Sequence, residues 1–428
     1  MTKPENRDTI NTGTADRQQP TGNVKSAKPN FKPKTIWTGD NLLIMRGMNS
    51  VCVDMIYFDP PFNSDQNYAA PIGSKAAGAT FKDIWTLSDI DEEWIDLIAE
   101  KKENRKLHRV LLSAMSDSDK SYLTYMAPRI LEMKRILKPN GTIYLHCDPT
   151  MSHYLKLMMD AIFDKDNFRN EIIWCYTSPS AAKRDFPRKH DTIFRYVNGN
   201  DWVFNTNSIK IPYKKLQTGS SQRGIYKKDV TLDKEGKIPE TWWVGFSPVG
   251  RLKNERTGFK TQKPLALLDR IIKASSNEGD IVFDPFCGCA TTLASADRLN
   301  RNWIGIDISS KATDLIKIRI EQQQGLFQDI ISRKDIPQRT DFGKLPPPRS
   351  HFNFLYGEQR GKCNGCKTKP ENDMLLEVDH IIAKSKGGQD NVENLQLLCR
   401  VCNNIKRDKP MEYLTNKLKK IGIGVEDD

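Results

Sequence analysis

The sequence contains no long hydrophobic run. None of its apolar segments approaches the roughly 18 residues of a membrane-spanning helix, and the N-terminal residues lack the apolar centre of a secretion signal. These absences exclude the usual signatures of a membrane-embedded or exported chain. We therefore predict a cytoplasmic protein that has no membrane partner.

Cysteine is scarce, and its count is odd. The nine cysteines of a cytoplasmic chain argue against a disulfide framework. Four of them form two C-x-x-C pairs, Cys363 with Cys366 and Cys399 with Cys402. Two such pairs separated by a spacer are typical of a closed tetrahedral zinc site. The sequence therefore predicts a structural zinc ion that holds together a small C-terminal domain.

Acidic residues are outnumbered by basic ones. Lys and Arg total 66 against 54 Asp and Glu, which gives a formal net charge of +12. This excess favours a polyanionic partner, although charge alone does not identify it.

The pattern of residues changes along the chain, which is too long for one ordinary domain. Residues 1–34 lack hydrophobic periodicity and are predicted to be a disordered tail. From Thr35, strand-like apolar runs alternate with amphipathic segments, which predicts an α/β domain with a mostly parallel sheet over 35–330. A linker rich in Pro and Gly is predicted at 331–350, and a separate module at 351–428.

Residues 175–258 interrupt this alternation. They mix aromatic residues such as Trp202 and Trp242 with basic residues such as Arg184 and Arg188. Such a mixture is typical of a nucleic-acid surface. It fits equally well an insertion whose aromatic residues form a small core of their own. The stretch is a candidate target-recognition region.

The tetrapeptide Asp59-Pro60-Pro61-Phe62 follows the apolar run VDMIYF. Open α/β sheets bind ligands at the carboxyl ends of their strands, where this tetrapeptide is expected. The two prolines fix the directions of the Asp59 carboxylate, the Pro60 carbonyl and the Phe62 ring. The two oxygens can accept both N–H groups of an exocyclic amine, and the ring can stack on a base that has left the duplex. The alternative is a simple turn that closes the strand.

A second motif, DPFCGCA, lies between two further strand-like runs. Asp284 ends the first run, small residues around Gly288 form a turn, and Asp307 ends the second run. The turn allows the backbone to approach a cofactor, and an acid about 20 residues on suits ribose hydroxyls. A dehydrogenase would have G-x-G-x-x-G here, but Cys289 and Ala290 occupy the turn. A nucleotide-like ligand other than NAD is indicated.

Together the two motifs resemble the amino-methyltransferases of the β arrangement, in which D-P-P-Y/F precedes D-x-F-x-G-x-G. The resemblance covers residues 35–325 and includes Gly39-Asp40-Asn41 and Thr261-Gln262-Lys263-Pro264. It implies a Rossmann-like sheet with an inserted target-recognition region, and S-adenosylmethionine as methyl donor. The residues that it assigns to the target amine and base are Asp59, Pro60, Pro61 and Phe62. Those that it places in or beside the cofactor site are Asp284, Phe286, Gly288, Asp307, Lys263 and Asp40.

Ala290 departs from this family pattern, which more commonly has glycine at that position. If the position requires a positive φ, alanine costs about 1 kcal/mol. We expect cofactor binding to survive this cost.

Asp rather than Ser at position 59 favours adenine N6 as the methylated atom, although the motif also occurs in cytosine-N4 enzymes. Methylation at cytosine C5 needs a cysteine nucleophile, usually in a Pro-Cys pair, and the sequence has no such pair. The expected partner is double-stranded DNA in a prokaryotic or phage setting, with association to the nucleoid. No feature specifies an oligomeric state, and a dimer is compatible with the sequence.

The C-terminal module carries Asp379-His380 and Asn394 between its cysteine pairs, and Asn403 after the last cysteine. This pattern resembles the HNH nuclease family, in its variant with Asn in the third position, and implies a ββα-metal fold. By the resemblance, His380 is the general base, Asn394 orients it, and Asp379 and Asn403 hold a divalent cation such as Mg²⁺ at the scissile phosphate. A module that only grips DNA, with zinc as its sole metal, is the alternative.

Three hypotheses follow from these motifs. The first is a bifunctional enzyme, as in restriction–modification, whose front domain methylates DNA and whose back domain cuts it. The second is a methyltransferase whose zinc module only binds DNA. The third is methylation of RNA or protein, which the HNH-type pattern disfavours.

Overall fold

The computed structural model describes residues 28–62, 68–69, 80–81, 104–177, 182–213, 234–252, 255–258, 261–324, 330–341, 348–370, 375–386, 388, 390 and 392–420. In chain order the strands are β1 (Thr35–Thr38), β2 (Val53–Phe58), β3 (Tyr68–Ala69), β4 (Thr80–Phe81), β5 (Leu137–Cys147), β6 (Phe168–Cys175), β7 (His190–Val197), β8 (Trp242–Trp243), β9 (Ile281–Asp284), β10 (Asn302–Asp307), β11 (Ile331–Arg333), β12 (Leu376–His380) and β13 (Leu395–Cys399). The α-helices are α1 (Asn41–Gly47), α2 (Arg105–Leu112), α3 (Asp117–Ile136), α4 (Ser152–Phe163), α5 (Leu265–Ser275), α6 (Thr291–Arg298), α7 (Ser310–Gln324), α8 (Phe352–Glu358), α9 (Arg400–Lys406) and α10 (Met411–Lys420). None of these helices is both long and apolar enough to span a membrane.

Within the described residues, nine strands form one sheet in the order β11-β1-β10-β9-β2-β5-β7-β6-β8. The strands from β11 to β5 run parallel to one another. Strand β7 is reversed and pairs antiparallel with both β5 and β6. The predicted α/β class with a mostly parallel sheet is confirmed.

Both faces of this sheet are buried, as parallel strands require. Successive residues along a strand point to opposite faces, and the two large core clusters divide accordingly. Ile56 and Phe283 pack into the cluster beneath α1 to α4. Met55 and Val282 pack into the cluster beneath α5 and α6. The near-continuous apolar runs in the sequence arise from this double burial.

The C-terminal module has a separate core. Strands β12 and β13 pair antiparallel, and α9 follows β13 directly. Leu397, Leu398, Leu414 and Leu418 are fully buried in a cluster confined to this module. The predicted ββα arrangement is confirmed.

The ends of the large domain differ from the prediction. Residues 28–34 of the predicted tail pack on the sheet, where the Phe31 ring meets the Trp37 ring edge-on and Asn30 donates to the carbonyl of Gly47. Residues 331–341 of the predicted linker also belong to the domain, because β11 pairs with β1 and Thr340 bonds to Asn49. These partners are far away in sequence, so local composition did not reveal them. The remainder of the predicted tail, 1–27, lies outside the described residues.

The stretch 175–258 is not one insertion. Its residues 190–197 form β7, which is almost completely buried inside the main sheet. Trp202 and Phe204 lie under the guanidinium groups of Arg169 and Arg195 at the edge of that sheet. A candidate target-recognition region is therefore confined to the loops on either side of β7.

Candidate functional site

The motifs predicted from the sequence meet at one edge of the sheet. Strand β1 ends beside β10, with Thr38 opposite Asp307, and β10 lies beside β9, with Gly305 opposite Asp284. Strand β9 pairs with β2, whose carboxyl end leads into Asp59. From β9 the chain continues through α6 to β10, whereas from β2 it continues in the opposite direction to β5. Such a change of direction opens a crevice at the carboxyl ends of the two strands.

Asp59 has one engaged and one free carboxylate oxygen. Its Oδ2 accepts a hydrogen bond of 2.6 Å from Lys263 Nζ. Its Oδ1 is buried and has no hydrogen-bond partner among the described residues. A buried acceptor without a donor costs free energy, which a donor on a bound ligand would recover.

Lys263 holds its charge although it is buried. Burial lowers the pKa of Lys263, but the nearby Asp59 and Asp191 carboxylates raise it by more, so the net shift is upward. The ammonium group also lies 5.0 Å from the centre of the Phe62 ring. The Lys263 ammonium group therefore occupies Asp59 Oδ2 and leaves Oδ1 available as an acceptor.

A buried polar network packs against Phe62 of the tetrapeptide. The sequence motifs gave no indication of this network. His146 is completely buried at the end of β5, and its ring stacks against Phe62 with 6.4 Å between centres. Tyr57 Oη lies 2.7 Å from His146 Nδ1, and Asp191 Oδ2 lies 3.0 Å from His146 Nε2. Tyr176 Oη donates to the other oxygen of Asp191 over 3.1 Å. The polar residues His146 and Asp191 inside apolar strands were the available sequence signal.

The cofactor motif forms a tight turn between β9 and α6. Asp284 Oδ1 accepts from the backbone N–H of Phe286, and Asp307 Oδ2 accepts from the backbone N–H of Gly288. Ala290 has φ +58°, in the left-handed region. Alanine at this positive φ therefore costs about 1 kcal/mol relative to glycine.

Asp284 is expected to make the stability of the protein depend on pH. Burial raises the pKa of Asp284 to about 7, against roughly 3.9 for an unfolded Asp. The folded state therefore binds the proton more tightly, and this carboxyl contributes stability as pH falls from above 7 toward 4, by at most about 1.4 kcal/mol per pH unit. Asp284→Asn should lack this contribution. The measurement is the free energy of unfolding in urea at pH 6, 7 and 8.

In that experiment the exposed Asp201→Asn serves as the matched control and should keep the slope of the parent protein. If Asp284→Asn also keeps that slope, the carboxyl does not titrate in this range.

Asp40 is linked to this turn by Arg129, a residue that the sequence motifs did not indicate. Asp40 caps α1 by accepting from the N–H of Leu42, and its other oxygen accepts from Arg129 over 3.0 Å. Arg129 is buried and also donates to Asn41, whose amide donates to the carbonyl of Pro285. The Gly39-Asp40-Asn41 segment thus buttresses the cofactor turn.

The four predicted zinc ligands come together. The sulfur atoms of Cys363, Cys366, Cys399 and Cys402 all lie within 4.8 Å of one another. Cys366 and Cys399 are 3.8 Å apart, which matches the edge of about 3.8 Å of a tetrahedron with 2.3 Å Zn–S bonds. The cluster is compatible with zinc.

The predicted nuclease residues lie on β12, in the turn before β13 and on α9, and they have partners that the sequence did not reveal. Asp379 forms an ion pair of 2.9 Å with the fully buried Lys406. Asn403 donates to Glu377. Asn394 bonds to both backbone groups of Ile382, so it holds the loop that follows His380.

His380 has a partner that the sequence did not reveal. Its Nε2 lies 2.7 Å from Asp390 Oδ1, and Lys384 contacts the same carboxylate. Asp390 therefore fixes the orientation of the imidazole.

Comparisons with known proteins agree with both motif sets. The DNA methylase family model, of the N6/N4 class, matches residues 53–318, and the HNH endonuclease model matches 363–409. The type II methyltransferase M.HpaI of Haemophilus parainfluenzae is 32% identical over 61% of this chain and 82% of the relative. The DNA adenine methyltransferase YhdJ of Escherichia coli (strain K12) is 30% identical over 65% and 79%. The solved M1.HpyAVI–SAM complex is 19% identical, with a TM-score of 0.37, over 67% of this chain and 98% of that one.

The methylase model spans more than half of the chain and contains both the Asp59 tetrapeptide and the Asp284 turn. The HNH model spans the cysteine cluster and the His380 hairpin. The protein therefore belongs to the N6/N4 DNA methylase family and carries an HNH domain at its C-terminus.

Proposed function

We propose that the protein transfers a methyl group from S-adenosylmethionine to an exocyclic amine of a base in double-stranded DNA, with adenine N6 the favoured target. The free, buried Oδ1 of Asp59 is the observation that carries this proposal. Lys263 occupies the other oxygen, so Oδ1 is the carboxylate oxygen that remains for an incoming N–H group.

The tetrapeptide acts by orienting the amine. Asp59 Oδ1 accepts one N–H of the target amine, and the Pro60 carbonyl accepts the other. With both N–H groups held, the amine would be fixed in one orientation for attack on a methyl donor. Phe62, supported by His146, stacks on the extruded base.

S-adenosylmethionine, when bound, supplies the electrophilic methyl group. The residues proposed to hold it are those of the crevice beside β9, namely Asp284, Phe286, Gly288 and Asp307, with Asp40 behind them. Asp307, at the end of β10, is suited to the ribose hydroxyls. The Gly288 turn allows the backbone to approach the ligand closely.

Adenine is favoured because Asp stands at position 59 and because the relative YhdJ is named a DNA adenine methyltransferase. The test uses radiolabelled cofactor offered with DNA, RNA and protein, followed by sequencing that distinguishes N6-methyladenine from N4-methylcytosine in cells that express the protein. Label in DNA and N6-methyladenine at one sequence are expected. Label in RNA or protein alone would overturn the proposal.

We further propose that the HNH domain cuts DNA with a divalent cation such as Mg²⁺. The hydrogen bond between His380 and Asp390 favours this activity, because an oriented imidazole is what a general base requires. Asp379 and Asn403 are the proposed ligands of the cation. The ion pair between Asp379 and Lys406 favours the alternative of a DNA-binding module, because an ammonium group already neutralises that carboxylate.

His380→Ala is expected to reduce Mg²⁺-dependent nicking of plasmid DNA by at least about 100-fold while methylation stays intact, because loss of a general base typically costs that much. Asp379→Ala should behave in the same way. The exposed Lys367→Ala, on the zinc-binding loop, is the control and should nick at the rate of the parent protein. If the parent protein makes no cut in the presence of Mg²⁺, the domain only binds DNA.

A further inference from the structure

An exposed aromatic residue stands in the basic loop between β6 and β7. The described part of this loop, residues 182–189, reads AKRDFPRK and contains four cations and one acid. Phe186 is 97% exposed, the highest value for a large hydrophobic side chain among the described residues. The loop thus exposes an apolar ring between basic side chains, and Pro187 restricts the backbone next to that ring.

The base of this loop is bonded to the support of the proposed base-binding site. Its two ends are joined where the N–H of Tyr176 donates to the carbonyl of Lys189. The Tyr176 hydroxyl bonds to Asp191, and Asp191 bonds to His146, the residue that stacks against Phe62. Strand β6 is antiparallel to β7, and β7 is antiparallel to β5, which runs parallel to β2. The loop between β6 and β7 therefore projects from the same sheet edge as Asp59, which follows β2.

Extrusion of a base leaves a gap in the duplex that the side chain of such a loop can fill. A base that leaves the stack loses its stacking energy and leaves a gap beside its neighbours and its former partner. Proteins that unstack DNA commonly insert an apolar side chain, Phe among them, into the opened step. Lys183, Arg184 and Arg188 are exposed on both sides of Phe186 and can contact the flanking phosphates.

We propose that loop 182–189 opens the DNA duplex at the target, and that Phe186 fills the position vacated by the extruded base. This inference rests on the proposed methylation of double-stranded DNA. It assigns to the loop a role in base extrusion and none in holding the amine or the cofactor.

The test compares two duplexes that carry the sequence identified by methylation sequencing. One is fully paired, and the other has an abasic site opposite the target base, which makes extrusion easy. Phe186→Ala is expected to slow single-turnover methylation of the paired duplex at least about tenfold, the size of one lost stacking contact, and to leave the abasic duplex nearly unaffected. Phe186→Leu, which keeps an apolar wedge, should retain most of the rate on both duplexes.

Leu157→Ala removes another exposed apolar side chain, on α4, and is the matched control; it should not change either rate. An undiminished rate for Phe186→Ala on the paired duplex, or equal losses on the two duplexes, would overturn the assignment. If the unsubstituted protein methylates neither duplex, the proposed function itself fails, so the two failures are distinguishable.

Discussion

Asp59→Ala is expected to reduce the rate of methyl transfer at least about 100-fold, because it removes the buried acceptor that orients the target amine. Affinity for S-adenosylmethionine should be largely retained, since the Asp284 turn belongs to a neighbouring strand and has its own hydrogen bonds. The measurements are single-turnover methylation of DNA and cofactor binding by calorimetry. Methylation at the rate of the parent protein would show that Asp59 does not hold the amine.

The ion pair between Asp59 and Lys263 allows a more specific test of the role of Asp59. Asp59→Asn keeps the shape of the side chain, but one of its two amide ends must then face the Lys263 ammonium. If the NH₂ group faces Lys263, two donors meet; if the oxygen faces Lys263, a donor meets the target amine. Asp59→Asn alone should therefore be nearly as slow as Asp59→Ala.

In the double variant Asp59→Asn with Lys263→Gln, the Gln oxygen can accept from the Asn NH₂ group, and the Asn oxygen is free again. We expect this double variant to be faster than Asp59→Asn alone. A double variant that is slower than the single one would mean that Lys263 contributes in some way other than by occupying Oδ2.

Cys363→Ser is expected to unfold the C-terminal module and to release its zinc. Structural zinc sites contribute on the order of 10 kcal/mol, which exceeds what the small apolar cluster of this module can supply. The methylase domain should stay folded, because its two core clusters contain no residue of the module. Zinc content by mass spectrometry, limited proteolysis and methylation of DNA measure the three effects.

Cys175→Ser is the control for this prediction, since Cys175 is half-buried on β6 and lies outside the cluster. It should leave the zinc content unchanged. A Cys363→Ser protein that keeps one equivalent of zinc and a protease-resistant module would contradict the assignment of the cluster.

The sequence was most informative where function depends on residues close together in the chain. Asp59 to Phe62 and Asp284 to Gly288 are short turns that follow apolar strands, so their position at the carboxyl edge followed from the pattern itself. The cysteine pairs were recognisable for the same reason, because their spacing is set by the metal.

Contacts between distant segments were not predictable in this way. His146 on β5, Asp191 on β7 and Tyr176 just after β6 meet only after β7 inserts between β5 and β6. The ion pair between Asp379 and Lys406 likewise joins a strand to a later helix. Strand β11 was mistaken for linker because its three residues are identified as a strand only by their pairing with β1.

The pairing of β11 with β1 also determines where the HNH domain is attached to the methylase sheet. The chain leaves the methylase sheet at its outer strand, four strand positions and therefore roughly 19 Å from β2. Gln338, just beyond β11, contacts the carbonyl of Lys386 in the loop after His380. The HNH domain is therefore attached near the outer strand of the sheet, and not beside the strand that leads into the Asp59 tetrapeptide.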